Sequence, residues 1–269
     1  MARENGRREC IFRKRLQSNH SLRHSRGMEV SKNELKRIKS LHQKKFRDEL
    51  LMFLVEGRKP VTECMASSYE IAAVYTTDEM FHREHPLAML ISQRDMEQVS
   101  ALQNPPGYLA VVCLPEPKRP EIWPNRLLAL DKIQDPGNMG TILRTADWFG
   151  FNHVIAAPGS VEIFNPKVVQ STMGSLFRMM VYETPLFDEL EKLKELGYAI
   201  IAADMAGTSV YDFQWPEKFV LVAGSESHGI SGGVASILTD RVHIPGAGNT
   251  ESLNVSVATG IILSMIYRG

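Results

Sequence analysis

Three glycine-bearing loops carry the residues of this chain best suited to chemistry. The first reads D-P-G-N-M-G-T-I-L-R-T-A-D-W-F-G-F over positions 135–151. Pro136, Gly137 and Gly140 make a tight loop that leaves a strand at 127–133 and enters a helix. Ile142, Leu143, Ala146 and Phe149 form the buried stripe of that helix, and Gly150 suits the left-handed position that ends it. Arg144 lies off the stripe. A guanidinium stays protonated and presents forked donors suited to phosphate, so Arg144, near Asn138, is suited to clamp a phosphodiester backbone. An i,i+3 surface ion pair with Asp147 is the competing reading.

The second loop, L-V-A-G-S-E-S-H-G-I at 221–230, follows an apolar strand. Gly224 and Gly229 permit close approach of the backbone to a ligand. Glu226 suits a cation or a cationic ligand, or else caps the helix that starts near Ser231. His228 is a candidate proton carrier, although a lone loop histidine is usually just solvated. The third loop, I-P-G-A-G-N-T-E-S-L-N-V-S-V-A-T-G at 244–260, runs from a short strand into a long apolar C-terminal helix. Its Gly-x-Gly lacks the third glycine of a dinucleotide fingerprint, Glu251 standing there, and it closes the chain instead of opening a βαβ unit, which argues against a nicotinamide cofactor. Ser252 and Asn254 suit hydrogen bonds to a ligand or to the helix's own first turn, with Glu251 favouring the positive end of the helix dipole.

Strands and helices must hold these loops. Strand-like runs recur at 127–130, 154–157, 199–203, 219–223 and 242–244 with helical stretches between most of them, which predicts an α/β fold with a mainly parallel sheet covered by helices on both faces. Ligands bind at the carboxyl ends of such strands, where all three loops lie. Upstream, Ser31 caps a helix striped by Leu35, Ile38 and Leu41; strand-like runs at 72–76 and 108–114 flank a helical 94–102. The expected organisation is a basic, disordered tail at 1–27 with Met28 a candidate start, a small α/β domain at 28–114, a proline-rich linker at 115–125, and a larger domain at 126–269.

The 269 residues carry equal numbers of acidic and basic side chains, but unevenly: residues 1–60 hold 17 Lys/Arg against 7 Asp/Glu. A basic N-terminal portion on an acidic body points to a polyanion such as RNA or DNA. Arg47, Arg58 and Lys59 are candidate phosphate contacts. No apolar run is long enough for a membrane span or a secretory signal, so a cytoplasmic protein is expected. Cys10, Cys64 and Cys113 show neither disulfide nor metal-ligand spacing, and no metal is expected.

Taken together, the three loops resemble the signature motifs of the SpoU or TrmH family of RNA 2′-O-methyltransferases. Asn138, Gly140 and Arg144 match the first motif, Gly224, Glu226 and Gly229 the second, and Ile244, Pro245, Ser252, Leu253 and Asn254 the third. The resemblance covers about residues 126–268. Gly246 departs from it, many members carrying a larger apolar residue after Ile-Pro. Residues 28–114, and F-L-V-E-G-R-K at 53–59 above all, resemble the small substrate-binding domain that precedes the catalytic domain in many members.

The resemblance implies a C-terminal deep trefoil knot, S-adenosylmethionine bound against the second and third motifs, and two subunits completing each site. It implies that Arg144 acts on the ribose hydroxyl, that Asn138, Ser252 and Asn254 orient RNA, Arg144 or the third loop, and that Glu226 orients Arg144 or its own loop. Ala203, Gly224, Ile244 and Leu253 would meet the cofactor. The implied reaction is transfer of a methyl group to a ribose 2′-hydroxyl, on ribosomal RNA in preference to transfer RNA. A catalytically silent RNA-binding or ribosome-assembly protein of the same fold is the alternative from another class.

Overall fold

The structure is a computed structural model that describes residues 30–225 and 229–268. The basic tail at 1–27, Glu226 and His228 lie outside the described residues. The chain forms two compact units, the first comprising the described residues up to Glu116 together with Phe164–Phe177, the second Pro117–Ile163 with Arg178 onward.

The first unit opens with α1 (Lys32–Ser40), where the Ser31 hydroxyl accepts the Glu34 N–H as the sequence predicts. After α2 (Lys44–Leu50) come β1 (Met52–Glu56), α3 (Arg58–Met65), β2 (Ile71–Thr76), α4 (Glu79–Glu84), β3 (Ala88–Leu90), α5 (Gln93–Val99) and β4 (Tyr108–Cys113). The four strands form one sheet in the order β1-β4-β2-β3. Leu35, Ile38 and Leu41 pack with Leu54, Tyr75 and Val111 in its core. The helix expected over 94–102 stops at Val99: Ser100 turns extended, and its hydroxyl donates to the Glu56 carboxylate.

The second unit continues through β5 (Arg126–Asp131), α6 (Pro136–Trp148) and β6 (His153–Ala156). The chain then makes α7 (Pro166–Ser171) and a 3-10 turn at Ser175–Arg178, followed by β7 (Met180–Glu183), α8 (Leu186–Glu195), β8 (Ala199–Ser209), β9 (Phe219–Gly224), α9 (Gly232–Ile237), β10 (Asp240–His243) and α10 (Val255–Arg268). The six strands stand in the order β10-β8-β9-β5-β6-β7. Every adjacent pair is parallel. The α/β sheet read from strand periodicity is therefore present, with Leu127, Ala129, Ile155, Ile200, Val220 and Val222 among its buried residues.

Three features depart from the sequence reading. Segment 164–177, inside the stretch expected to be catalytic, belongs to the first unit: the Phe164 ring lies 4.7 Å from that of Phe53, and Phe177 lies 5.3 Å from Tyr69. The expected linker from Pro117 onward is also built into the second unit. Arg119 donates to the Glu189 carboxylate at 2.7 and 3.0 Å, and Trp123 is buried in the core. Finally, β8 runs six residues past its expected end, and its register with β10 jumps from Ala202↔Arg241 to Thr208↔Val242, so that 203–207 bulge outward. Gly207 permits this, since a Cβ there would stand 2.3 Å from the Arg241 backbone.

Candidate functional site

The first loop begins with a kink. Lys132 adopts φ +57°, a left-handed conformation that re-aims the chain as it leaves β5. Asp135 then caps α6, its carboxylate accepting the Asn138 N–H at 2.8 Å, and Pro136 occupies the first helical position. Ile142, Leu143 and Ala146 are buried as expected. At the other end the Gly150 N–H bonds the Asp147 carbonyl and the Phe151 N–H bonds that of Ala146, with Gly150 at φ +79°. This glycine-terminated cap is the one its position predicts.

Arg144 is exposed on α6, about 9 Å along the axis from Asn138 at 1.5 Å per residue. The alternative partner, Asp147, is taken by Arg178, whose Nη2 and Nε donate to it at 2.7 and 3.2 Å. Among the described residues Arg144 makes no ion pair, and its guanidinium is left for solvent or ligand. Trp148, one turn further on, is 82% exposed.

The third loop meets the first directly. Asn254 Nδ2 donates to Asn138 Oδ1 at 2.9 Å, while Asn254 Oδ1 accepts from the backbone of Ser256 at 3.0 Å and of Val257 at 3.3 Å. The helix-cap reading of Asn254 therefore holds, and its amide nitrogen also reaches across to the first motif. Thr145 lies against Gly260, and the Phe149 ring lies 5.9 Å from Tyr267. Together these interactions set α6 and α10 side by side and parallel, so both helices present their positive N-terminal ends to the same place. Ser252 and Leu253 are exposed on the approach to α10, Leu253 at 46%.

At the end of β9, Ser225 and Gly229 exchange backbone hydrogen bonds at 3.1 and 2.9 Å. Gly224 faces the backbone of Gly229 so closely that a Cβ would stand 2.4 Å from its carbonyl carbon. The β8–β9 ladder, which pairs Ala202 with Val222, brings Ala203 to the same sheet end as Gly224. Ile244, half-buried, follows β10. A polar hollow of about 460 Å³ at the β8–β10 edge, lined by Gly207, Thr208, Thr239, Asp240 and Arg241 among others, contains none of these residues.

In the first unit, Arg47 is a correction. It is only 2% exposed, and its Nη1 donates to the carbonyls of Leu41 at 2.9 Å and His42 at 3.0 Å, acceptors left open where α1 ends. A guanidinium spent in this way caps a helix and does not meet RNA. Arg58 and Lys59 are exposed at the start of α3, after Gly57 turns the chain at φ +104°. The Arg58 guanidinium lies 5.9 Å from the centre of the Tyr108 ring. Tyr108 donates its hydroxyl to Asp78, which holds that carboxyl below its ordinary range and raises the phenol.

Asp131 escaped the sequence reading. It ends β5, is 2% exposed, and accepts the Ser231 N–H through Oδ2 at 2.7 Å. An acidic residue closing the apolar run Leu127–Leu130 was the available signal. Among the described residues no His/Cys/Asp/Glu group could hold a metal, and no helix is long and apolar enough to cross a membrane.

Residues 125–264 match the model of the SpoU rRNA Methylase family, and residues 32–110 match that of the MRM3-like substrate binding domain. The 23S rRNA (guanosine(2553)-2′-O)-methyltransferase RlmP of Bacillus subtilis is 30% identical over 242 residues, covering 88% of this chain and 97% of that protein. A structure assigned to the TrmH family of RNA methyltransferases, from Porphyromonas gingivalis, is 37% identical and superposes with a TM-score of 0.83 over 90% of this chain and 99% of its own. The AdoMet-bound rRNA methyltransferase from Sinorhizobium meliloti is 28% identical, with a TM-score of 0.79 over 90% and 97% of the two chains.

Proposed function

The chain belongs to the SpoU rRNA methylase family, and from that premise we propose that it transfers a methyl group from S-adenosylmethionine to a ribose 2′-hydroxyl of ribosomal RNA. The observation that carries this reading is the junction of the first and third motifs through Asn138 and Asn254, at the N-termini of two parallel helices, one of which carries an exposed Arg144. Mitochondrial and bacterial relatives bearing rRNA methyltransferase names support the ribosomal target.

The residues fit the cofactor. Gly224, packed against the Gly229 backbone, stands at the carboxyl end of β9 where α/β folds bind ligands, and exposed Leu253 with half-buried Ile244 offers apolar surface suited to an adenine ring. Ala203 belongs to the same sheet end. When bound, S-adenosylmethionine supplies a methyl group already activated on sulfonium. The protein's task is then to bring a ribose oxygen within about 3–3.5 Å of that carbon and to stabilise the oxygen as it loses its proton. A guanidinium is a poor base, so Arg144 acts electrostatically: it holds the neighbouring phosphate and places positive charge where the alkoxide develops, with phosphate or water taking the proton. Asn138 and Asn254 keep the two helix ends in register, and Ser252 orients the nucleoside. Glu226, in the second loop, serves to orient Arg144 or the loop itself.

The same reading includes a C-terminal trefoil knot, a homodimer and a cytoplasmic setting. The passage of the chain from β10 through 244–254 into α10 beside α6 supports the first. The exposed apolar residues Trp148, Val257 and Tyr267 on those two helices support the second.

The direct test is methyl transfer from labelled S-adenosylmethionine to RNA from a strain lacking the protein, followed by digestion to nucleosides. Label is expected in a 2′-O-methylnucleoside of ribosomal RNA. Cofactor binding without transfer to any RNA would leave the silent scaffold as the better reading. In the first unit, the double change Arg58→Ala with Lys59→Ala is expected to weaken RNA binding and to flatten the log–log salt dependence by about one unit for each phosphate no longer neutralised. Filter binding across a salt series reads this, and an unchanged slope would place the RNA elsewhere.

A further inference from the structure

We propose that Asp131 is a positioning residue that sets the second loop against the first, an inference that rests on the methyltransferase reading above. Asp131 stands opposite Gly224 in the β5–β9 ladder, and its Oδ2 accepts the Ser231 N–H at 2.7 Å. One residue therefore grips both ends of the 224–231 loop, the entry by strand pairing and the exit through its carboxylate. Its own chain continuation is the Lys132 kink that launches the turn to Asp135 and, beyond it, the helix carrying Asn138 and Arg144. The two loops share this single anchor.

The chemistry of the position argues for such a role. A carboxylate at 2% exposure, with no cation paired to it among the described residues, is costly to bury, and an aliphatic residue would fill a strand end at lower cost. What an aliphatic residue cannot do is hold the Ser231 N–H. Ser231 is extended, at φ −62° and ψ 145°, and its carbonyl accepts the first bond of α9 from Ala235 at 2.8 Å. With Ser231 held on one side by the carboxylate and on the other by α9, the loop exit cannot slide unless one of those bonds breaks. A loop fixed at both ends loses less conformational freedom when a ligand binds it, and that saving is retained as affinity.

The test measures S-adenosylhomocysteine binding by titration calorimetry on the full chain. Asp131→Leu removes the acceptor and should weaken binding by about 10-fold or more, whereas Asp131→Asn keeps an acceptor oxygen and should stay within about 3-fold of the unchanged protein. Ser231→Pro deletes the donor at a residue whose φ already suits proline, and should match Asp131→Leu. Because both remove the same bond, the double variant should be no weaker than the weaker single. RNA affinity should be unchanged in all of them, which a general loss of structure would not allow. Wild-type affinity in Asp131→Leu or Ser231→Pro, multiplying effects in the double variant, or an Asn variant as weak as Leu would each overturn the proposal. Should Asp131→Leu fail to fold, Ser231→Pro decides alone. If the unchanged protein does not bind S-adenosylhomocysteine, it is the methyltransferase reading that fails, and the inference falls with it.

Discussion

Replacing Arg144 by alanine is expected to lower turnover by roughly 100-fold or more while leaving S-adenosylhomocysteine affinity within a few-fold, on the scale of a lost oxyanion-type donor. The expectation follows from where the side chain sits. It is off the buried stripe of α6, its nearest sequence candidate for an ion pair is engaged by Arg178, and nothing in the packing of α6 depends on it. Loss of rate without loss of stability is therefore the signature. Arg144→Lys should recover only part of the rate, because an ammonium keeps the charge but not the forked geometry. Single-turnover kinetics at saturating RNA separate the chemical step from binding, and normal turnover in the alanine variant would remove Arg144 from the mechanism.

Gly224→Ala should have the next largest effect, on a different quantity. Its added methyl would stand 2.4 Å from the Gly229 carbonyl carbon, 2.5 Å from the oxygen and 2.8 Å from the Ile230 nitrogen. All three are backbone atoms, so the chain at Gly229 and Ile230 must shift. Cofactor affinity should fall by roughly 10-fold or more, with overpacking costing about 1–3 kcal/mol of stability. Gly246→Ala is the control, since no atom of the described residues lies within 4 Å of the site of its added methyl, and it should leave affinity within about 2-fold. Calorimetric titration with S-adenosylhomocysteine and a urea melt read the two effects. If the variants at 224 and 246 behave alike, close packing at Gly224 is not what shapes the loop.

What was legible in the sequence was local. The stripe of α6, its glycine cap at Gly150, the Ser31 cap of α1 and the alternation that yields a parallel sheet all depend on neighbours within a few residues, and periodicity reports those directly. The loops could be recognised because their glycines, amides and charges recur at fixed spacing. What could not be read depends on partners distant in sequence. Arg47 looked like one of several surface cations, and only the fold brings the open carbonyls of Leu41 and His42 to its guanidinium. Asp131 finds its partner 100 residues away. The extra length of β8 exists because Gly207 can lie against the Arg241 backbone, an approach that no local pattern announces. The same holds for segment 164–177, whose aromatic residues fit an apolar stripe in either unit until Phe53 and Tyr69 are seen to receive them.

That segment bears on the order in which the protein is made. Synthesis proceeds from the N-terminus, and a leading domain ordinarily condenses while its successor is still being translated. Here a nascent chain that has just cleared Glu116 has all four strands of the first sheet but lacks Phe164, Val168, Val169 and Phe177, all assigned to that unit, Phe164 and Phe177 being the partners of Phe53 and Tyr69. The apolar side of β1 stays uncovered until about 60 further residues have emerged, by which time β5, α6 and β6 are already available to pair. Maturation is thus interleaved, the catalytic half supplying the last piece of the half that precedes it, and a ribosome stalled between these points would display a sticky, unfinished domain to the chaperones that meet it.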